Sequence, residues 1–217
     1  MTVDATRPRG RPSTPVLSPA KITRAAVTLV QTKGHRALTM AALAAHLHVA
    51  PSALYNHVPT KAVLLQLVQD YVNASVDAGG FATAPWPEAL RAWARSYRDV
   101  YARHPPLVPL IAVTPVDGAP HTVAMYEAVG AGLRAGGWPQ AAVVDVIVAV
   151  ESFVLGSALD ASAPADIFDL GADATARAPE FSAGVRARDA HDPARSAFEL
   201  GLDALVDGLV ARLARLR

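Results

Sequence analysis

The segment VAPSALYNHVPTK, residues 49–61, concentrates side chains that can form hydrogen bonds with a polyanion. Leu54 and Val58 are four residues apart and would hold a short helix against a core, so the polar residues beside them would face outward. Their hydroxyl, amide, imidazole and ammonium groups can bind phosphate oxygens or the edges of bases. These polar residues are Ser52, Tyr55, Asn56, His57 and Lys61. The pattern predicts nucleic-acid binding.

The charges of the chain are divided unevenly along its length. The first 61 residues hold eight Lys and Arg residues and one Asp, a formal charge of +7, whereas the remaining residues carry −6. The total charge of +1 conceals this asymmetry. A basic head on an acidic body is typical of proteins whose basic part binds a polyanion.

Composition limits the class of protein. The chain has 217 residues, of which 52% are hydrophobic, enough for one large domain or two small ones. It has no cysteine, which excludes disulfides and Cys-based metal sites and suits a cytoplasmic protein. The first 20 residues lack the apolar region of a signal peptide. We expect the apolar run 141–159, interrupted by Asp145 and Glu151, to be a buried helix, and we expect neither a cofactor nor a metal.

Helix-capping residues divide residues 18–78 into four predicted helices. Their spans are 19–33, 40–47, 51–58 and 61–78, with a tight turn at His48 between the second and the third. Three helices, of which the second and third are short and joined by a tight turn, describe a helix-turn-helix unit. In that unit the third helix enters the major groove of DNA.

The rest of the chain also has helical periodicity. After a break at residues 79–87, helices are predicted at 87–103, 105–111, 122–135, 139–161 and 193–216, and residues 162–192 are expected to be loosely ordered. No strand pattern occurs. We therefore predict an all-α protein with a disordered basic arm at residues 1–17, a helix-turn-helix domain at 18–65 and a larger helical domain at 66–217.

The stretch LTMAALAAHLHVAPSALYNHVPTKAVLL resembles the DNA-binding domain of the TetR family of bacterial transcriptional repressors. The LYNHV element followed by Lys61 matches the signature of that family, and the resemblance covers residues 18–65. It implies that Tyr55 and Lys61 hold the DNA backbone, that Thr39 lies near a phosphate, and that outward residues of the third helix read bases. The DNA contacts predicted in this domain are Thr39, Pro51, Ser52, Ala53, Tyr55, Asn56, His57 and Lys61.

Two features depart from the family pattern. His48 stands where the turn usually has Gly, so a left-handed backbone there would be strained. Ala41, Ala50 and Ala53 stand where polar base-reading residues often occur. Since alanine can contact only a thymine methyl group, sequence specificity would depend on few direct hydrogen bonds.

The arm carries a further candidate contact. PRGRP, residues 8–12, resembles the core of an AT-hook, in which Arg9 and Arg11 would run along a narrow A·T-rich minor groove. A solvated basic tail that adds non-specific phosphate affinity is the alternative.

The last two long helices are too apolar for the surface of a monomer, and the resemblance implies that they form a dimer. The predicted interface residues are Val143, Ile147, Val150, Val154, Leu202, Leu205, Leu209 and Leu213. A two-fold dimer would place two third helices on successive major grooves, so the operator should be roughly palindromic. The alternative is that both helices pack only within one subunit.

The resemblance also implies an effector pocket among the middle helices, where LRAWARSYRDVYARHPPLVPLIAVTP looks like the ligand domain of the tetracycline-repressor branch. Ile111 stands near the metal-binding His of true tetracycline repressors, so we expect a largely apolar effector instead of a metal–tetracycline complex. The other candidate ligand contacts are Trp93, Tyr97, Tyr101, His121, Met125, Tyr126, Asp145, Glu151 and Phe153. For each of them, packing in the core is the alternative role.

Enzyme motifs do not fit this chain. It lacks the His-Glu-x-x-His, P-loop and Gly-x-Ser-x-Gly patterns, and the single Gly-x-Gly-x-x-Ala, at residues 130–135, follows a predicted helix where a dinucleotide site needs a strand. We expect a non-enzymatic transcriptional regulator that an effector releases from DNA by moving the helix 61–78. An architectural DNA-binding protein without an effector, or an activator, is the alternative.

Overall fold

The computed structural model describes residues 17–164, 166–188 and 192–216. Within these ranges the chain forms helices and turns without a strand, which confirms the predicted all-α fold. The α-helices are α1 (Pro19–Lys33), α2 (Met40–Leu47), α3 (Pro51–Tyr55), α4 (Lys61–Asn73), α5 (Trp86–Ala102), α6 (Val108–Ile111), α7 (Pro120–Ala135), α8 (Val143–Asp160), α9 (Ala172–Arg177), α10 (Pro179–Ala187) and α11 (Pro193–Ala214). Single 3₁₀ turns lie at His35–Ala37, Gly79–Ala82, Pro105–Leu107 and Gln140–Ala142.

Side-chain hydroxyls fix the starts of the N-terminal helices. Ser18 accepts a hydrogen bond from the backbone N–H of the third residue after it, at 3.3 Å, and begins α1. Thr39 does the same for α2 at 3.0 Å, and Thr60 for α4 at 3.1 Å. Such caps satisfy N–H groups that the first helical turn leaves without a partner. The predicted helix starts at these three positions are therefore correct.

The three N-terminal helices share one core with the first half of α4. Its fully buried members include Ile22, Leu43, Leu54 and Leu64. α3 has only five residues, too few for an isolated helix to be stable in water. Burial of Leu54 and, just after the helix, Val58 therefore holds α3 in place.

The turn between α2 and α3 has a left-handed backbone at His48, with φ 57° and ψ 41°. His48 is the one non-glycine residue with positive φ in the described part of the chain. Its backbone N–H donates to the carbonyl of Ala45 at 3.1 Å, and the next N–H donates to that of Ala44 at 3.0 Å, so this turn ends α2. A side chain with a Cβ is disfavoured in this conformation, and glycine is not.

Replacing His48 with glycine is expected to stabilise the protein by about 0.5–1 kcal/mol, because glycine adopts the left-handed conformation without steric cost. Urea unfolding followed by circular dichroism measures the change. His46→Gly is the matched control. That residue lies inside α2, where glycine costs up to about 1 kcal/mol, and the control should be less stable than the wild type. Equal destabilisation by both substitutions would contradict the strain assigned to His48.

Helix α4 ends earlier than predicted, at Asn73 instead of residue 78. The residues that follow the helix form other hydrogen bonds instead of continuing its ladder. The Asp77 carboxylate accepts from the backbone N–H of Gly79 at 2.8 Å, and the Ser96 hydroxyl accepts from the backbone N–H of Asp77 at 2.8 Å. The residues after α4 thus form a connection that is tied to α5.

The larger part of the fold is built around α5, which packs against α4, α7, α8 and α11. Two arginines on its exposed edge bind acidic residues of α11. Arg91 Nε lies 2.9 Å from an Asp203 oxygen, and Arg95 Nη2 lies 2.8 Å from a Glu199 oxygen. These pairs are partly exposed, so the apolar core contributes more stability than they do.

The segment predicted to be loosely ordered contains two helices among its described residues, α9 and α10. Alanine-rich sequence favours helix, and Pro179 suits the first position of α10. The two helices contact each other, and Phe181 of α10 forms an edge-to-face ring pair at 5.8 Å with Phe168, which precedes α9. The prediction of loose order was therefore wrong for α9 and α10.

Helix α8 with its preceding turn, Gln140–Asp160, is long and apolar enough to cross a membrane by length and composition alone. The core helix of a water-soluble fold meets the same criteria. Here one face of α8, including Val150, Val154 and Ala158, is fully buried within the chain, against α5, α7 and α11. This face agrees with the prediction of a buried helix.

Candidate nucleic-acid interface and ligand groove

The polar residues of the α3 segment form one exposed surface. Ser52, Asn56 and His57 are exposed, Tyr55 is 49% exposed, and Leu54 beneath them is fully buried. Pro51 is also exposed and Ala53 is half-buried on the same segment. This arrangement leaves hydroxyl, amide and imidazole groups free to meet phosphates or base edges.

The start of α4 lies next to this surface. Lys61 is the first residue of α4 and is exposed. The N–H groups of a helix N-terminus attract anions, and an ammonium group at the same position adds to that attraction. Thr39 is exposed at the start of α2. The other predicted contacts, Arg9 and Arg11, lie outside the residues that the structure describes.

The aromatic residues predicted to contact a ligand are mostly part of the core. Trp93, Tyr97 and Tyr101 on α5 are each at most 2% exposed, and their rings pack in sequence with centroids 5.4 and 4.9 Å apart. Buried Ile111 lies close to the same core. A contact between these residues and a ligand stays a prediction, and their packing favours the structural alternative.

Glu151 binds two tyrosines inside the fold. The hydroxyls of Tyr97 and Tyr126 donate to its Oε1 at 2.8 and 2.7 Å, which links α5 and α7 to α8. Burial raises the pKa of Glu151, and the two hydrogen bonds oppose part of that shift. This group therefore connects three helices by hydrogen bonds.

Two other predicted ligand contacts lie on α8, away from the middle of the fold. Asp145 is exposed. Phe153 is half-buried and stacks on Phe198 of α11 with ring centroids 5.5 Å apart. Neither residue lines the groove described next.

An open groove of about 570 Å³ lies between α7 and the end of α4 with the Gly79–Ala82 turn. Its walls are mostly apolar and small. They consist of Ala74, Val76, Ala78, Gly79, Phe81, Ala82, Ala124, Met125, Ala128, Ala131, Gly132 and Ala135, with Asn73 and His121 as the polar residues. Of the ten predicted ligand contacts, His121 and Met125 line this groove. The sequence signal for it was the repetition of small residues along one face of α7, which sequence reasoning missed.

The polar end of the groove holds α4 against the start of α7. Asp70 Oδ1 accepts from the backbone N–H of Thr122 at 3.0 Å, and Asp70 Oδ2 lies 2.7 Å from His121 Nδ1. The Asn73 amide donates to the Thr122 hydroxyl at 3.0 Å and accepts from the Tyr101 hydroxyl at 2.6 Å. Since the residue before α7 provides no side-chain cap, Asp70 caps α7 from α4.

The residues predicted to form the dimer interface lie mainly inside the chain's own core. Seven of them, namely Val143, Ile147, Val150, Val154, Leu202, Leu209 and Leu213, are buried, and Leu205 is half-buried. The exposed apolar residues of the same two helices are others: Val144, Val148, Leu159, Leu200 and Val210 are 42–76% exposed. We call these five residues the outer α8–α11 face. An interface through α8 and α11 would use this face, because most of the predicted residues already pack inside the chain.

Most of the chain matches two protein-family models. Residues 22–68 match the family described as bacterial regulatory proteins, tetR family, and residues 82–213 match the tetracyclin repressor-like, C-terminal domain. An HTH-type transcriptional regulator of Saccharopolyspora erythraea is 35% identical over 143 residues, 66% of this chain and 60% of that protein. The HTH-type transcriptional repressor DrrR1 of Streptomyces coeruleorubidus is 31% identical over 156 residues, 71% of this chain and 57% of that protein. The matches thus span less than two thirds of these curated relatives.

Solved structures match nearly the whole fold. ActR from Streptomyces coelicolor without ligand superposes with a TM-score of 0.75 at 26% identity, over 93% of this chain and 98% of ActR. The complex of ActR with actinorhodin superposes with a TM-score of 0.73 at 26% identity, over 91% of this chain and 99% of ActR. BioQ bound to its double-stranded DNA operator superposes with a TM-score of 0.65 at 26% identity, over 90% of this chain and 99% of BioQ.

Proposed function

The chain belongs to the TetR family of bacterial regulatory proteins, and we propose that it is a transcriptional repressor that a small, largely apolar effector releases from DNA. The observation that carries this proposal is the exposed polar surface of α3, with Lys61 beside it at the start of α4. The BioQ structure contains operator DNA and one ActR structure contains a small molecule, which supports both halves of the proposal. Such a regulator acts in the cytoplasm.

DNA binding follows from the chemistry of the α3 surface. The positive charge of the first 61 residues supplies affinity for phosphates, while Ser52, Tyr55 and Asn56 supply hydrogen bonds for positioning and base reading. Few polar groups are available to bases, so DNA shape and thymine methyl contacts contribute to the choice of sequence.

A homodimer binds the operator in this proposal. The exposed side chains of the outer α8–α11 face are apolar, and a second copy would bury them as half of a four-helix arrangement. An isologous two-fold contact then presents two copies of α3 to successive major grooves, so the operator is roughly palindromic.

The effector binds in the groove between α4 and α7. Its small apolar lining suits a flat, largely apolar molecule, and its volume of about 570 Å³ is in the range of small-molecule sites. α4 runs from Lys61 to the groove at Asn73, a length of about 20 Å, so a ligand that shifts the groove end also shifts the DNA end. Release requires that the ligand bind the shifted state more tightly.

Selection of bound sequences from random duplex DNA, followed by a salt titration of the best one, tests the proposal. We expect an inverted repeat and a steep loss of affinity with salt, because phosphate contacts release counterions. Weak binding without sequence preference would contradict a repressor and favour an architectural protein.

Lys61→Met is expected to weaken binding to every sequence by a similar factor and to lower the slope of log affinity against log salt by about one for each bound protomer. The measurement is a fluorescence anisotropy titration at several salt concentrations. Arg177→Met, which removes one positive charge from exposed α9, is the control and should leave the slope unchanged. An unchanged slope for Lys61→Met would mean that Lys61 does not contact a phosphate.

A further inference from the structure

The side chains of Asp70 and His121 form a hydrogen-bonded pair at the polar end of the groove. Asp70 is 8% exposed, and both of its oxygens are used, one by Thr122 and one by His121. The His121 side chain is 65% exposed and lines the groove. Asp70 is thus the buried residue that holds the imidazole in position, and His121 is the exposed residue that can contact a ligand.

This geometry fixes the tautomer of a neutral His121 ring. A carboxylate has only acceptor atoms, so the Nδ1 atom facing Asp70 at 2.7 Å must carry the hydrogen. Nε2 is then the acceptor of the neutral imidazole. Among the residues that the structure describes, no donor binds Nε2.

The remaining groove offers a ligand little polar contact. Apart from His121, its one polar side chain is Asn73, whose amide already binds Thr122 and Tyr101. All other lining residues are Ala, Gly, Val, Phe or Met. A single oriented acceptor therefore stands at one end of an apolar groove, which is the usual way in which a binding site fixes the orientation of an apolar ligand.

We propose that the effector is an apolar ring compound with a phenolic or enolic hydroxyl, and that this hydroxyl donates a hydrogen bond to His121 Nε2. The inference rests on the proposed effector groove and specifies its ligand class. A carboxylate has no donor to offer the acceptor atom Nε2 and would lie close to the negative charge of Asp70, so it is disfavoured. A methyl ether lacks the donor, so it cannot form this hydrogen bond with Nε2.

Three matched probes test the ligand class: a monohydroxylated fluorene, its methyl ether and the corresponding carboxylic acid. Calorimetric or fluorescence titration of the full chain without DNA should give an affinity for the hydroxyl compound about tenfold higher than for either of the others. The hydroxyl compound should also displace the protein from its selected operator.

Variants of Asp70 and His121 distinguish recognition of the ligand hydroxyl from non-specific binding of an apolar compound. His121→Phe keeps an aromatic ring without an acceptor, and we expect it to abolish the preference for the hydroxyl over the ether. Asp70→Asn keeps an acceptor for Thr122 but removes the negative charge. The affinity ratio between the hydroxyl probe and the carboxylate probe should therefore fall several-fold. His46→Gln, at an exposed position of α2, should change neither the hydroxyl-to-ether nor the hydroxyl-to-carboxylate affinity ratio.

Equal binding of the hydroxyl compound and its ether, or no binding of the hydroxyl compound, would overturn the proposal. A preference that persists in His121→Phe would also overturn it, since the acceptor would lie elsewhere. These titrations contain no DNA, so a failure here with intact operator binding rejects the ligand class alone. Loss of sequence-specific DNA binding by the wild type would reject the proposed function itself.

Discussion

Val148→Glu is expected to convert the proposed dimer into a monomer and to lower operator affinity by about 100-fold or more. Val148 is 50% exposed in the protomer and lies on the outer α8–α11 face with Val144 and Leu200. Burying a carboxylate without a partner in such an interface costs several kcal/mol, and the two-fold axis places two of them there. A monomer then contacts one half-site and loses the gain from binding both together.

Analytical ultracentrifugation measures the assembly, and the anisotropy titration measures operator affinity. Val113→Glu is the matched control, because Val113 is 81% exposed and follows α6, outside both α8 and α11. The control should stay dimeric and bind the operator normally. If Val148→Glu remains a dimer of unchanged stability, the subunits associate through a different surface.

Gly136→Ala is expected to destabilise the fold by about 1–3 kcal/mol. Gly136 follows α7 with an ordinary φ of −73°, so the backbone itself would accept alanine. A Cβ at this position would instead overlap the indole ring of Trp86, the first residue of α5. Trp86 also packs edge-to-face on Trp138 at 5.6 Å, so its ring cannot move away without disturbing a second buried ring.

Urea unfolding followed by circular dichroism gives the free energy change. Gly184→Ala serves as the control, since a Cβ there meets no atom within 4 Å and alanine favours the interior of α10. That control should be stabilised by up to about 1 kcal/mol. Wild-type stability in Gly136→Ala would show that Trp86 is free to shift.

The helix-turn-helix unit was predictable because its determinants are local. Ser18, Thr39 and Thr60 cap their helices with side chains of the expected type, and Leu54 with Val58 specifies which side of α3 faces inward. Short-range hydrogen bonds and helical periodicity contain that information. The arm with Arg9 and Arg11 is not tested by the structure.

The outward face of α8 was not predictable in the same way. Val143 and Val144 are adjacent and chemically identical, yet they are 6% and 65% exposed. When nearly every position of a helix is apolar, periodicity cannot tell which stripe faces the core of the protomer. The groove was missed for a related reason, since alanines such as Ala128 give the same pattern whether they pack closely or border empty space.

The cap that Asp70 provides for α7 makes the contact between α4 and α7 measurable by hydrogen exchange. The amide hydrogen of Thr122 is held by a carboxylate on another helix, so protection from solvent deuterium depends on contact between α4 and α7. Most amides of α7 are instead held within their own helix. The exchange rate of this single amide thus reports the separation of the two helices without an attached label.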